Sequence, residues 1–232
     1  MDKSQKLWQE VRETALDMPS ITLGPYISQS LLKDPKHLLF SLSRYKSAGR
    51  LLPIDRSATV LELGCSEGMG TLILSQHAVS VLGVDFDVEA IRHAESLLQS
   101  PFKLAFQCDD FIGKKYGKFD AVVSLDVIEH INSIVECDFM ETITTNLHKN
   151  GMCIIGTPNI TAAEYASPAS KLGHVNLFSA NRLYELLQHY FNNVIIFGMN
   201  DEVLHTGFHP MCHYILAAGF NKKFCSDKDK NL

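Results

Sequence analysis

The stretch from Val60 to Gly70, Val-Leu-Glu-Leu-Gly-Cys-Ser-Glu-Gly-Met-Gly, limits the fold most narrowly: an apolar strand breaks into a glycine-rich turn beside an isolated carboxylate, Glu62. The valine and leucines before the turn read as a buried parallel strand, and Thr71 to Leu74 after it begin a helical pattern. The glycines therefore occupy a strand-to-helix crossing, where backbone can approach a ligand closely. A second apolar run from Val79 to Val84 ends at Asp85, a position from which a carboxylate can accept hydrogen bonds from a ribose diol.

The pattern continues as alternation. Strands are expected near 59–63, 79–84, 102–107, 119–125 and 152–156, separated by helices near 69–77, 87–98 and 134–148, which describes a parallel sheet with right-handed crossovers. A polar loop over 158–173 precedes a helix over 179–190 and two further strands at 193–197 and 213–218. Ahead of the sheet, Leu7, Trp8, Val11 and Ala15 recur at helical spacing, and after a break at Pro25 a second helix runs from Asp34-Pro35 to Leu52. Asp34 suits the N-cap and Pro35 the first helical position. These helices either cover a ligand and its pocket as a lid or pack on the sheet edge. The expected organisation is a helical segment over 1–52, a ligand-binding α/β domain over 53–218, and a flexible tail over 219–232 in which lysines and aspartates interleave.

With 232 residues and 46% hydrophobic content, the chain suits one α/β domain. A net charge of -5 argues against a general nucleic-acid binder, while local basic patches leave room for a small RNA. The first residues lead into no apolar run of signal-peptide length, and no segment is long enough to cross a bilayer, so a cytoplasmic location and no membrane partner are expected. Cys65, Cys108, Cys137, Cys153, Cys212 and Cys225 contain no C-x-x-C pair and read as reduced, mainly buried thiols rather than a zinc cluster.

A dinucleotide-binding turn wants glycines at its first, third and sixth positions, and Met69 takes the sixth counted from Gly64. The acid-x-Gly-x-small-x-Gly order of Glu62, Gly64, Ser66 and Gly68 instead resembles motif I of the class I S-adenosylmethionine (SAM) dependent methyltransferases, with Ser66 in place of the usual middle glycine. The resemblance continues through Gly83-Val84-Asp85, through Gln107-Cys108-Asp109-Asp110-Phe111, and through the run from Phe119 to His130, in the family's order and spacing, and it covers residues 34–218. It implies a Rossmann-like seven-stranded α/β sheet with helices on both faces, the last two strands closing it as an antiparallel hairpin, and an N-terminal helical lid. It implies SAM as cofactor, with backbone of Gly64, Cys65, Ser66 and Gly68 against the methionine part, Glu62 towards its ammonium and Asp85 on the ribose hydroxyls. Asp109 matches the acceptor for the adenine amine, with Asp110 able to exchange roles with it. Phe86 and Asp126 complete the expected contacts, and Arg44 resembles a basic residue that some relatives direct at the SAM carboxylate. The plainer readings are a turn or N-cap role for Asp85 and an exposed helix arginine for Arg44.

On the acceptor side, Asp126-Val127-Ile128-Glu129-His130 places three potential ligands within one turn, and His174 lies further on before a helix. Two carboxylates and two imidazoles suit Mn²⁺, Fe²⁺, Co²⁺ or Zn²⁺, and Mg²⁺ less well. The order acid-x-x-Glu-His with a later histidine resembles the metal site of small-RNA 2′-O-methyltransferases and the corresponding motif of ubiquinone-pathway O-methyltransferases, so Asp126, Glu129, His130 and His174 are the candidate metal set. Glu-His here also occurs in methyltransferases without a metal, where the histidine is a general base or holds a loop; His130 and Glu129 are accordingly the catalytic candidates. Asn159, His205 and His209 are candidates for the acceptor pocket, and His213 reads as structural.

Three functions fit. The first is SAM-dependent methylation of a hydroxyl on a small polar molecule such as a sugar, a sugar nucleotide or another diol, with or without metal assistance. An oxygen acceptor is favoured because Thr157-Pro158-Asn159 lacks the Asn-Pro-Pro-Tyr form associated with base amines. The second is 2′-O-methylation of RNA, against which the acidic charge weighs. The third is a non-catalytic SAM-binding subunit, which the carboxylates at 62, 85 and 109 oppose. Sequence leaves the oligomeric state open.

Overall fold

A computed structural model of the chain describes residues 2–18 and 20–223. Five parallel strands, β1 (Thr59–Leu63), β2 (Ser80–Asp85), β3 (Leu104–Cys108), β4 (Phe119–Leu125) and β5 (Leu147–Pro158), are followed by β6 (Phe191–Asn200), β7 (Val203–His205) and β8 (Tyr214–Lys222). They form one sheet in the order β3-β2-β1-β4-β5-β8-β6-β7, in which β8 runs antiparallel to β5 and β6. The seven expected strands are present, and β7 adds a three-residue eighth strand at the edge beside β6. Strand order reverses between β2-β1 and β4, so the carboxyl ends of β1 and β4 open the crevice where α/β sheets take ligands.

Alternation along the buried strands divides the core in two. Leu61, Leu63, Val84, Val122 and Ile155 face Phe139, Met140 and Ile143 of α6 (Glu136–Asn146) and Leu183 and Leu187 of α8 (Ala180–Tyr190). Val60, Val81, Ala121, Val123 and Ile154 pack on the opposite face against Ala48 of α3 (Pro35–Leu51) and Leu74 of α4 (Met69–Ser75). Each large apolar side chain enclosed here contributes roughly 1.5–3 kcal/mol relative to exposure, which fixes the register of every central strand. The period of two also places Glu62 on the α3–α4 face, with Val60.

Several boundaries differ from the sequence expectation. Pro25 does not merely interrupt the chain: it opens α2 (Pro25–Lys33), which is followed at once by Asp34, whose carboxylate accepts from the His37 amide as the N-cap of α3. A helix also forms inside the expected polar loop, α7 (Pro168–Gly173), capped by Ser167. Helix α1 (Lys3–Leu16) buries no residue, whereas α5 (Val88–Glu95) packs Ala90, Ile91 and Ala94 inward. The tail does not begin at 219, because β8 continues to Lys222 in register with Phe191. The rest of that tail, residues 224–232 with Cys225, lies outside the described residues. Cys65, Cys153 and Cys212 are buried free thiols, while Cys108 and Cys137 are exposed.

Candidate active site

The turn after β1 has the close approach its glycines imply. Gly64 and Gly68 have φ of 81° and 77°, and a β-carbon on Gly64 would lie 2.2 Å from a methyl of Val127. Ser66 adopts a φ of 46°, a conformation costing on the order of 1 kcal/mol for a residue with a side chain. Its amide donates to Asp85 at 2.8 Å, which holds the turn in that shape. Cys65 is buried, and enclosure raises its thiol pKa, so it acts here as small packing volume.

Glu62 is completely enclosed, and neither of its carboxylate oxygens has a hydrogen-bond partner among the described residues. The Tyr45 and Thr71 hydroxyls lie near enough to favour its ionised form, yet burial dominates and pushes its pKa up to about 7. An unpartnered buried carboxylate is costly. A cation brought beside it would relieve that cost.

At the end of β2, Asp85 is buried and accepts from the amides of Ser66 and Asp87 at 2.8 and 3.0 Å. It joins the two loops that border the crevice and also has the turn role expected of such a residue. Phe86 beside it is exposed. Asp109, at the end of β3, is paired with Lys114 at 2.9 Å and with the Tyr116 hydroxyl at 3.0 Å, which together hold its pKa low. Asp110 is exposed and accepts only from the Ile112 amide at 3.3 Å. Of the two, Asp109 is the carboxylate set by neighbours.

Arg44 is not an exposed helix residue. It is buried on α3, lies 4.1 Å from the centre of the Tyr214 ring and binds Asp126 at 2.7 Å. Burial alone would depress its pKa, but Asp126, with Tyr214 and Glu129, more than offsets that. Asp126 has a φ of 58°, and its amide donates to Gly156 at 2.9 Å. The ion pair and this bond hold the strained corner after β4 in place.

Beyond that corner, the backbone carbonyl of Glu129 accepts from the amides of Val175 and Asn176 at 2.9 and 3.0 Å, which draws the segment carrying His174 against His130. The two imidazoles meet edge to face with centres 4.9 Å apart. Ligand atoms of Glu129, His130 and His174 all lie within 4.8 Å of one another. Of the four residues proposed from sequence as a metal set, these three converge; Asp126 is not in the group, and its carboxylate is taken by Arg44. His130 directs Nδ1 to the Gly173 carbonyl at 2.9 Å, so Nδ1 donates there and Nε2 is the nitrogen left to face a ligand. Burial and the neighbouring His130 lower the His174 pKa, which favours the neutral, ligating imidazole. Glu129 is buried, accepts from the Thr157 hydroxyl at 3.0 Å, and is pushed up to about 8 by burial and by Asp126.

Two of the three candidate acceptor contacts, Asn159 and His205, are occupied within the protein. Asn159 is buried, and its amide nitrogen donates to the carbonyls of His209 and Cys212 at 2.8 and 2.9 Å. His205 is held at both ring nitrogens, by Asn200 and by the Gly207 amide. His209 lends its backbone carbonyl to Asn159, while its Nε2 is enclosed without a partner among the described residues. Two residues escaped the sequence reading: Glu67, whose carboxylate accepts from the amides of Tyr26 and Ile27, and Tyr26, whose hydroxyl reaches Asp87. Both pairings span tens of residues, and the only local hint is an acid inside a glycine turn.

A family model described as "Methyltransferase domain" matches residues 31–194. A probable S-adenosylmethionine-dependent methyltransferase of Mycobacterium tuberculosis is 28% identical over 139 residues, 60% of this chain and 50% of that protein. The mitochondrial ubiquinone biosynthesis O-methyltransferase of Arabidopsis thaliana is 30% identical over 112 residues, 46% of this chain and 34% of that protein. The chain thus spans half or less of the length of these curated relatives. Among solved structures, the N-methyltransferase NodS of Bradyrhizobium japonicum with S-adenosyl-L-homocysteine superposes with a TM-score of 0.63 at 17% identity, covering 84% of this chain and 96% of that one. That likeness is one of fold.

Proposed function

The chain belongs to the methyltransferase-domain family, and from that premise we propose that it transfers the methyl group of SAM to a hydroxyl of a small polar acceptor bearing neighbouring oxygens, assisted by a divalent cation. A sugar, a sugar nucleotide or another diol has this character. The observation that carries the acceptor side is the convergence of Glu129, His130 and His174 beside the crevice.

The residues present fit SAM. Glu62 supplies the unpartnered carboxylate that an ammonium requires, and the glycine turn supplies backbone amides. Asp85 keeps acceptor capacity for ribose hydroxyls beyond the two amides it already receives. Asp109, with Asp110 next to it in sequence and Phe86 just past the end of the paired strand β2, is assigned to the adenine end. Arg44 and Asp126 hold the corner after β4 and, in this reading, act on the cofactor through that corner. SAM supplies an electrophilic methyl on a sulfonium, so the protein's task is alignment and exclusion of water rather than covalent chemistry.

The same three residues fit a cation: two imidazole nitrogens and a carboxylate on one side, with further coordination positions left for oxygens. A cation there would lower the pKa of the acceptor hydroxyl and orient it. His130 contributes Nε2 because Gly173 holds its other nitrogen. His174 is kept in place by the bonds from Val175 and Asn176 to Glu129, and Thr157 fixes the Glu129 carboxylate.

A second reading is 2′-O-methylation of a short RNA, whose terminal ribose also offers neighbouring oxygens. One observation favours it: a cavity of about 510 Å³ bordered by α3 and α4 has Lys46, Arg50 and Arg56 in its wall, a cationic surface on an acidic chain. Radiolabelled SAM with a panel of polyols, sugar nucleotides and short RNAs, each with chelator and with Mn²⁺, tests both. Methylation of a small diol lost to chelator and restored by Mn²⁺ is expected. Chelator-resistant turnover removes the cation, and label confined to RNA selects the second reading.

A further inference from the structure

Glu67 sits inside the glycine turn, yet its carboxylate serves another segment. Its two oxygens accept from the amides of Tyr26 and Ile27, each at 2.8 Å. Pro25, the first residue of α2, has no N–H, and the Ser28 amide binds the Gly24 carbonyl at 2.9 Å. Glu67 therefore takes both amides that the first turn of α2 leaves free, from some forty positions along the chain, and its charge complements the positive end of the helix. Space is reserved for it: a β-carbon on Gly24 would lie 2.3 Å from the Glu67 carboxyl, although φ of −70° there suits any residue.

The side chain of Tyr26 extends from this anchor to the other border of the crevice. Its hydroxyl donates to Asp87 at 3.1 Å; the Asp87 amide donates to Asp85 at 3.0 Å; and Asp85 accepts from Ser66, the neighbour of Glu67. These contacts close a ring that starts and ends on the glycine turn and contains the carboxylate assigned to the ribose. The two ends of the strap differ in strength. The backbone end is held by two bonds to a buried carboxylate, whereas the ring end has one hydroxyl bond, in a residue that is 56% exposed as a whole. Such an element opens at the ring and stays fixed at its base.

We propose that Tyr26, anchored through its backbone by Glu67 and through its hydroxyl by Asp87, is a positioning residue that straps the nucleoside end of the SAM crevice and slows cofactor release. The proposal rests on the reading that SAM occupies this crevice. It makes Glu67 the link between the shape of the glycine turn and the docking of α2, and it gives that helix a role in cofactor retention.

The test measures S-adenosylhomocysteine affinity by calorimetry and its dissociation rate by stopped flow, alongside amide hydrogen exchange over residues 24–33, for the wild-type chain and for Tyr26→Phe, Glu67→Gln and Gly24→Ala. In Tyr26→Phe, exchange in the ligand-free protein should match wild type while dissociation accelerates several-fold. In Glu67→Gln and Gly24→Ala, exchange at residues 26 and 27 should rise and dissociation should accelerate about tenfold or more, the scale of losing one hydrogen bond to a charged group. Tyr26→Phe keeps the helix docked, so a folding defect in the other two does not decide the matter. Wild-type dissociation from Tyr26→Phe, or from a variant whose α2 exchanges freely, overturns the strap. A wild-type chain that binds no S-adenosylhomocysteine overturns the SAM reading and the strap with it.

Discussion

Replacing Glu62 by glutamine should make the ligand-free protein more stable at neutral and alkaline pH while weakening its hold on SAM. The carboxyl has a pKa of about 7 in the folded chain against an ordinary 4.5. Between those values the folded state keeps a proton that the unfolded state releases, so raising the pH favours unfolding, and the loss levels off above the folded value. With the two values in the linkage relation, Glu62 costs the fold about 1.4 kcal/mol at about pH 5.5 and about 3 kcal/mol at about pH 8. Glutamine has the same shape and no charge. Urea melts of both proteins at the two pH values should show the variant's advantage growing by about 2 kcal/mol from the lower to the higher. The same variant should bind S-adenosylhomocysteine more weakly by about 1.5–3 kcal/mol, the worth of a hydrogen bond to a charged group. Wild-type affinity should fall roughly tenfold per pH unit below about 7, where the carboxylate becomes protonated, and the variant should lack that slope. A variant advantage that is constant or shrinks with pH, or a variant that binds as tightly as wild type, refutes the assignment of Glu62 as an unpartnered ammonium acceptor.

The remaining assignments give sharper single outcomes. Asp85→Ala should weaken S-adenosylhomocysteine binding by about 1.5–3 kcal/mol in calorimetry, because it removes ribose acceptors and releases the Ser66 amide together. His130→Ala should leave that binding unchanged while lowering kcat in the radiolabel assay, and lost binding in a folded variant would show that the cofactor and acceptor halves are wrongly divided. Asn159→Ala should cost about 1–3 kcal/mol in urea denaturation, because two buried hydrogen bonds, to the His209 and Cys212 carbonyls, are lost together, and a neutral effect would reopen Asn159 as an acceptor contact.

The framework was readable from sequence wherever its cause is local. Apolar alternation gave the parallel strands, and the spacing of Glu62, Gly64, Gly68 and Asp85 gave the crevice, since period and glycine position are properties of short segments. Asp34 and Pro35 announced α3 for the same reason. The start of α2 was not readable: Pro25 looks like a break until Glu67 arrives to take the amides beyond it. Likewise, nothing near Asn159 shows that its amide bonds carbonyls of residues 209 and 212. Arg44, matched in sequence to a residue that contacts the cofactor and otherwise readable as an exposed helix arginine, is a buried ion pair because β4 brings Asp126 beneath α3. A spacing of three and four residues put Asp126, Glu129 and His130 on one face in principle, but a short 3₁₀ turn over Ile128–His130 replaces the helix that spacing presumes.

These differences have a common direction. Polar side chains at the crevice that lacked a local partner mostly acquired a distant one, because burying an unmatched polar group costs more than almost any rearrangement of a loop. Asp126 has Arg44, Asn159 has two carbonyls, and Glu67 has the amides of α2. Glu62 sits on a rigid central strand whose register leaves it no freedom to move towards a partner; among the described residues the Thr71 and Tyr45 hydroxyls are near it, yet neither of its oxygens makes a hydrogen bond. A group held at that cost in the ligand-free fold is best explained by the charge it meets when the crevice is filled. For this reason Glu62, rather than the better-bonded carboxylates around it, is the strongest single mark of what the site receives.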